Sequence, residues 1–113
     1  MREPARDRGR LEDMLQAAEY VISFTEGISL SAFTDDKLRY FAVLKNLEII
    51  GEAAYMLTLD YKESHPEIPW DKIIKMRHIL VHGYGDVLPE ILWQTALEDV
   101  PQLRQRIREL LGD

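Results

Sequence analysis

No cysteine occurs among the 113 residues of the chain. That excludes disulfides, thiolate catalysis and every zinc site that needs a cysteine ligand. Long unbroken apolar runs are missing as well. The richest stretch, Tyr40 to Leu59, is interrupted by Lys45, Asn46, Glu48 and Glu52 and makes a poor membrane span. Met1 to Arg10 mixes arginine with acidic residues, and no apolar segment of the signal-peptide kind follows it. The expectation from these absences is a cytoplasmic protein with no membrane partner. Basic charge is in deficit too: 14 lysines and arginines face 20 acidic residues, for a net charge of −6. A general nucleic-acid coat should be basic, so the balance argues against one. A local site is still open, because a few arginines can hold one phosphate against an acidic background. The arginine clusters at 2–10 and 104–108 are interleaved with acidic residues and read as solvated helix faces.

Nothing in the chain alternates at the period of a strand, and no repeat, low-complexity tract or linker divides it. Four helical stretches account for most of it. In the first, from about Asp7 to Gly27, Leu11, Met14, Leu15, Ala18, Val21 and Ile22 recur three and four apart, and Gly27 is placed to end it. Ile28 to Phe33 reads as a short connection, with Thr34 as the cap of the next helix and Asp35 and Asp36 in its first turn. That second helix, about Asp35 to Asp60, is apolar nearly all round. Such a helix is buried on more than one face, so one face is expected against the core and another against a second subunit. Gly51 in its middle costs about 1 kcal/mol relative to alanine, a cost that a close helix approach would justify. Glu52, among apolar neighbours, reads as a structural carboxylate. After a turn at residues 64–69, a third helix begins at Pro69 and runs to about His82. The last starts near residues 86–90 and ends at Gly112, with Pro101 expected to kink it near Leu97. The fold expected is all-α: an antiparallel up-down bundle of four main helices forming a single domain over residues 1–113. Residues 1–9 are expected to be a flexible arm, and a two-fold homodimer would complete the burial of so small a core.

The chemistry concentrates in Arg77-His78-Ile79-Leu80-Val81-His82-Gly83-Tyr84. Trp70, Ile73, Arg77 and Leu80 recur at three and four, so Arg77 falls on the apolar face of its helix. A guanidinium there needs a partner, because an unpaired buried charge is very costly. It either meets a structural carboxylate or waits for an anion, for which its planar fork suits a phosphate. Imidazole is the side chain that exchanges protons most readily near neutral pH. Three readings follow. His78 and His82, four apart, could hold a metal, but His65 and Asp86 are the remaining candidate ligands and no His-Glu-x-x-His pattern is present. Alternatively, Arg77 and His82 could satisfy a helix end, whose dipole favours cations. The third reading is cleavage of a phosphodiester, which needs two proton-transfer groups and a cation. A dimer with its third helices facing would supply two His82 and two Arg77, and would cleave RNA but not DNA, which lacks the 2′-hydroxyl.

The spacing Arg-x4-His-x-Tyr, on Arg77, His82 and Tyr84, resembles the signature of the HepT-like branch of the HEPN superfamily. Asn46 to Ala54, Pro69-Trp70, Met76-Arg77, Leu80 to Tyr84, Trp93 and the opening Arg10 to Met14 resemble the surrounding segments of that family. The resemblance extends from about Arg10 to Leu111. It implies an all-α homodimer whose Arg and His converge at the subunit interface. It also implies a metal-independent endoribonuclease toxin, with no cofactor, of a prokaryotic toxin–antitoxin module (type II or type VII-like). The implied partners are RNA and an MntA-like nucleotidyltransferase antitoxin that silences the toxin by transferring AMP to the tyrosine. Carried over, Arg77 holds phosphate, His82 transfers the proton and Tyr84 is the AMPylation site. His78 stands where the family most often has asparagine, an auxiliary position. The alternative is a non-catalytic dimeric module that binds a nucleotide or a protein partner in the same pocket.

Overall fold

The structure, a computed structural model, describes residues 6–82 and 88–112, and all its regular elements are helical. The first helix, α1, spans Asp7–Thr25; its stripe of Leu11, Met14, Ala18 and Val21 is buried as the periodicity requires. Gly27 follows it with φ at +74°, a left-handed conformation that glycine takes without a Cβ penalty. Residues 7–9, assigned to a flexible arm from the sequence, are already helical here, and residues 1–5 lie outside the described part.

Two boundaries differ from the expectation. The connection after Gly27 contains an extra turn of helix, α2 (Leu30–Asp35), capped by the Ser29 hydroxyl, which accepts from the Ala32 N–H at 3.1 Å. Phe33, fully buried, seats this turn on the core against Trp93 and Tyr40. The long helix α3, Lys37–Met56, therefore starts later than expected, and Asp36 rather than Thr34 caps it, accepting from the Arg39 N–H at 3.2 Å. At its other end α3 stops at Met56 instead of running to Asp60. Leu57 and Thr58 are extended, and α4 (Leu59–Ser64) starts afresh with Thr58 as its cap. The break has a tertiary cause. Asp7 accepts from both the backbone N–H of Thr58, at 3.0 Å, and its hydroxyl, at 2.7 Å, which pins the junction to the start of α1.

The turn at residues 65–69 is tied by the Trp70 indole N–H, which donates to the His65 carbonyl at 2.9 Å. Tyr61 beside it is pushed above the usual 10.0 by desolvation, helped by the charges of Asp7 and Glu67. Helix α5, Trp70–His82, then packs on α3 through Ile73 and Leu80. The final helix is one rod with an insertion: α6 (Pro89–Gln94), a π-helical turn at Thr95–Asp99, and α7 (Val100–Leu111). Pro101 has no N–H and its ring would strike the carbonyl of Leu97. The expected disturbance thus takes the form of a widened turn, in which the Val100 N–H reaches Thr95 O, five residues back.

Helices α1 and α3 form the central pair, α5 lies on α3 and α7 on α1. Met14, Val21, Leu47, Ile50 and Ile107 are almost fully buried between them. Each such side chain contributes about 1.5–3 kcal/mol by leaving water. The arginines at 104 and 108 meet Glu19 at 3.1 and 3.5 Å, and Arg8 meets Glu12 at 3.9 Å. Arg8 fits the reading of its cluster as a solvated helix face, whereas Arg104 and Arg108 are partly buried and cross to Glu19, tying α7 to α1. Among the described residues no helix is long and apolar enough to cross a membrane.

Candidate active site

Arg77 occupies the third turn of α5 on the face turned towards α3. Its approach to that helix depends on Gly51. A Cβ at position 51 would overlap the Arg77 Cβ, lying 2.8 Å from its Cγ and 3.1 Å from its Cα. The glycine inside α3 thus has the packing reason that its cost called for: the stem of Arg77 lies directly on the α3 backbone. From there the guanidinium reaches the next residue of α3. Arg77 Nη2 is 2.7 Å from Glu52 Oε2, a short, charge-assisted contact. One turn further along α3, the Tyr55 ring stands with its centroid 5.8 Å from Arg77 Cζ, within cation–π range. Of the alternatives left open by the sequence, the apolar-face arginine takes the structural one, and Glu52 is the carboxylate that meets it from the neighbouring helix.

The energetics of this pair favour orientation over stability. The Arg77 side chain is 28% exposed and the Glu52 side chain 51%. An ion pair so wet contributes only about 0–1 kcal/mol. The contact leaves the Arg77 Nε and Nη1 without a hydrogen bond or ion pair among the described residues.

Arg77 and Glu52 line a cleft of about 300 Å³ between α1, α3 and α5. Arg10 and Asp13 of α1 and Lys45 and Glu48 of α3 line it too, so its walls carry both signs of charge. Sequence reading had put Arg10 on a solvated helix face and had assigned no part in the site to any of these four residues or to Tyr55. The spacing 45, 48, 52, 55 is the signal that places those α3 side chains along one face. A second, more apolar cavity of about 330 Å³, between α3, α5 and α7, contains neither Arg77 nor either histidine of α5. Arg77 thus opens on the first, which neither His78 nor His82 lines.

His78 and His82 stack one turn apart on α5, ring centroids 4.6 Å apart and planes inclined by 53°. Both are exposed, as is Ile79 between them at 51%. The structure therefore brings Arg77 to Glu52, and His78 to His82. It does not join Arg77 to His82 by a hydrogen bond within one chain, among the described residues. His65, a candidate metal ligand, lies before α5 and pairs with Glu67 at 3.5 Å. No group of three side chains suited to a metal gathers among the described residues. Tyr84, the expected modification site, and Asp86 lie outside the described residues.

Comparison with known proteins gives the family of the chain. The family model described as Ribonuclease HepT-like matches residues 14–110, a span that includes Gly51, Glu52, Arg77 and both histidines of α5. A protein of Thermococcus cleftensis described as a probable ribonuclease HepT is 43% identical over 100 residues, covering 88% of this chain and 91% of the relative. Two further relatives bear RNase names. That from Caldanaerobacter subterraneus subsp. tengcongensis is 38% identical over 92% of this chain and 93% of its own length. That from Methanocaldococcus jannaschii is 37% identical over 86% and 89%. No solved structure matches the chain significantly. With the match running through all the helices of the bundle and across the Arg77–His82 segment, the chain belongs to the ribonuclease HepT-like family.

Proposed function

We propose that the protein is a metal-independent endoribonuclease whose reacting groups are Arg77 and His82, completed across a two-fold homodimer. The observation that carries this reading is the state of the Arg77–His82 segment on α5. The arginine is braced on the bundle by Glu52, while the histidine one and a half turns on is exposed beside an exposed isoleucine. Among the described residues of one chain, His82 meets His78 on its own helix and no proton-transfer group from another helix. A second copy of the same face supplies the missing acid or base, and isologous pairing supplies it symmetrically. One His82 takes the proton from a ribose 2′-hydroxyl and that oxygen attacks the adjacent phosphorus. The other His82 protonates the leaving 5′-oxygen, and the arginines hold the charge on the five-coordinate phosphate. The products are a 2′,3′-cyclic phosphate and a 5′-hydroxyl.

In this reading the enzyme is the toxin of a toxin–antitoxin module, and a partner nucleotidyltransferase silences it by transferring AMP from ATP to Tyr84. The Tyr84 phenol attacks the α-phosphate and pyrophosphate leaves. The adenylyl group adds a negative charge and a base-sized body two residues from His82, where it competes with RNA for Arg77.

Cleavage of mixed tRNA and mRNA in EDTA tests the first part, with wild type and His82→Ala at equal dimer concentration. Wild type is expected to yield cyclic-phosphate fragments, and His82→Ala at least about 100-fold less. Equal cleavage by both would remove His82 from the chemistry. With the partner and ATP added, Tyr84→Phe is expected to escape silencing; a mutant silenced as fully as wild type overturns that part. RNA left intact by wild type with Tyr84 shown unmodified by mass would move the assignment to a binding module.

A further inference from the structure

We propose that one turn of α3, Gly51-Glu52-x-x-Tyr55, is a cradle in which Glu52 positions the Arg77 guanidinium to receive the substrate phosphate. The proposal rests on the ribonuclease reading and adds to it a positioning residue on a different helix from the reacting groups.

The cradle touches Arg77 in three different places. Gly51 lets the Cβ and Cγ of the stem lie on the α3 backbone, where any other residue would push them off. Glu52 Oε2 takes one corner of the fork, Nη2, at 2.7 Å. The guanidinium lies over the Tyr55 ring, Cζ 5.8 Å from its centroid. A long side chain held at its root, one corner and one face has few orientations left. The contact at the remaining corner is the one a phosphate would make. Nη2 carries two hydrogens and belongs to both edges of the fork, with Nε on one side and Nη1 on the other; a carboxylate oxygen on one Nη2 hydrogen leaves the opposite edge to match two phosphate oxygens. Glu52 and phosphate would share Nη2 through its two different hydrogens, so phosphate can bind without displacing the carboxylate. The exposure of both side chains keeps the pair accessible from solvent.

A carboxylate next to an anion site repels nucleic acid, so Glu52 is a poor choice for affinity. Its benefit is geometric: reacting groups misplaced by about 1 Å lose on the order of 100-fold in rate. Removing Glu52 should therefore show in turnover and not in substrate binding, which distinguishes positioning from charge attraction. The weakness of so exposed a pair also means that the fold should survive its loss.

The experiment compares wild type, Glu52→Ala and Glu52→Gln, reading kcat and KM on a short RNA and the thermal midpoint of each protein. The Arg77 Nε–Hε NMR signal is followed in parallel during titration with a non-cleavable 2′-O-methyl RNA oligonucleotide. Glu52→Ala is expected to lower kcat by about 10- to 100-fold with KM within about threefold of wild type and the midpoint nearly unchanged. Glu52→Gln, which keeps an acceptor oxygen at the same reach, should recover part of that loss. The Arg77 signal should shift in Glu52→Ala, and the oligonucleotide should perturb it less than in wild type. Full kcat in Glu52→Ala overturns the proposal, and so does a loss that only follows the folded fraction. If wild type cleaves nothing, the ribonuclease reading fails by itself, and the NMR arm still decides the cradle. An Arg77 signal that is identical in wild type and Glu52→Ala, with and without oligonucleotide, would remove it.

Discussion

Arg77 and His82 stand five residues apart on α5, which turns them about 140° from each other around the helix axis. The two residues therefore face different surroundings although they belong to one motif. Arg77 points to α3 and meets Glu52; His82 points out and meets His78. The difference explains why a spacing with an arginine and a histidine suits a shared site between two chains better than a site within one. His78 is the residue whose role the spacing left open. Its ring lies tilted against His82 and bonds neither Arg77 nor Glu52, a position from which it can orient His82 without exchanging a proton itself. His78→Asn, which keeps a polar group and removes the titrating one, is expected to cleave RNA within about threefold of wild type. His82→Ala should fall at least about 100-fold. Equal losses in the two would make His78 a second proton carrier.

At the scale of elements, α3 organises the molecule. Its apolar residues nearly encircle it, and the structure spends them unequally. Val43, Leu47, Ile50 and Ala54 are buried, while Leu38 is 86% exposed and Phe41 58%. Phe41, with Tyr55 43% exposed further along, lies in the apolar stretch from which the sequence reading expected a face against a second subunit. The same helix supplies Gly51, and a substitution there tests the close approach directly. Gly51→Ala gains about 1 kcal/mol of helix propensity. The added methyl meets the root of Arg77, which cannot swing away as a side-chain tip would, and overpacking of this kind costs about 1–3 kcal/mol. The variant is therefore expected to melt a few degrees lower and to lose cleavage activity out of proportion to that change. A variant that melts higher than wild type, with full activity, would show that the helices part without consequence. The last helix shows how a local rule acquires a tertiary form: Pro101 predicted a disturbance, and the π turn at Thr95–Asp99 is where the rod absorbs it.

For the molecule as a whole, the decisive long-range contact is the one that no periodicity reveals. Asp7 and Thr58 are 51 residues apart and share two hydrogen bonds, with Asp7 only 8% exposed. Thr58 Oγ1 also accepts from the Tyr61 N–H at 3.2 Å, so the clamp joins α1, the end of α3 and the start of α4. Asp7→Ala leaves a partly buried N–H and hydroxyl without their acceptor, and charge-assisted bonds of this kind contribute about 1.5–3 kcal/mol. The expected result is a loss of about 2–3 kcal/mol in urea unfolding at fixed protein concentration, with the slope unchanged. A loss under about 0.5 kcal/mol would reduce the clamp to a surface contact.

The helical class, the four main rods and the buried stripe of α1 were legible because a period of 3.6 residues is written locally and needs no partner to be read. So was the need of Arg77 for a partner, since it follows from charge on an apolar face. The identity of that carboxylate was not, nor were the Tyr55 contact and the early end of α3. Each depends on which residues of two helices come level when they pack, and that register is set by side-chain volumes across the whole core. Gly51 joins the two kinds of information. Its cost is visible in the sequence, but its reason, the root of Arg77 against the α3 backbone, exists only once α5 has docked.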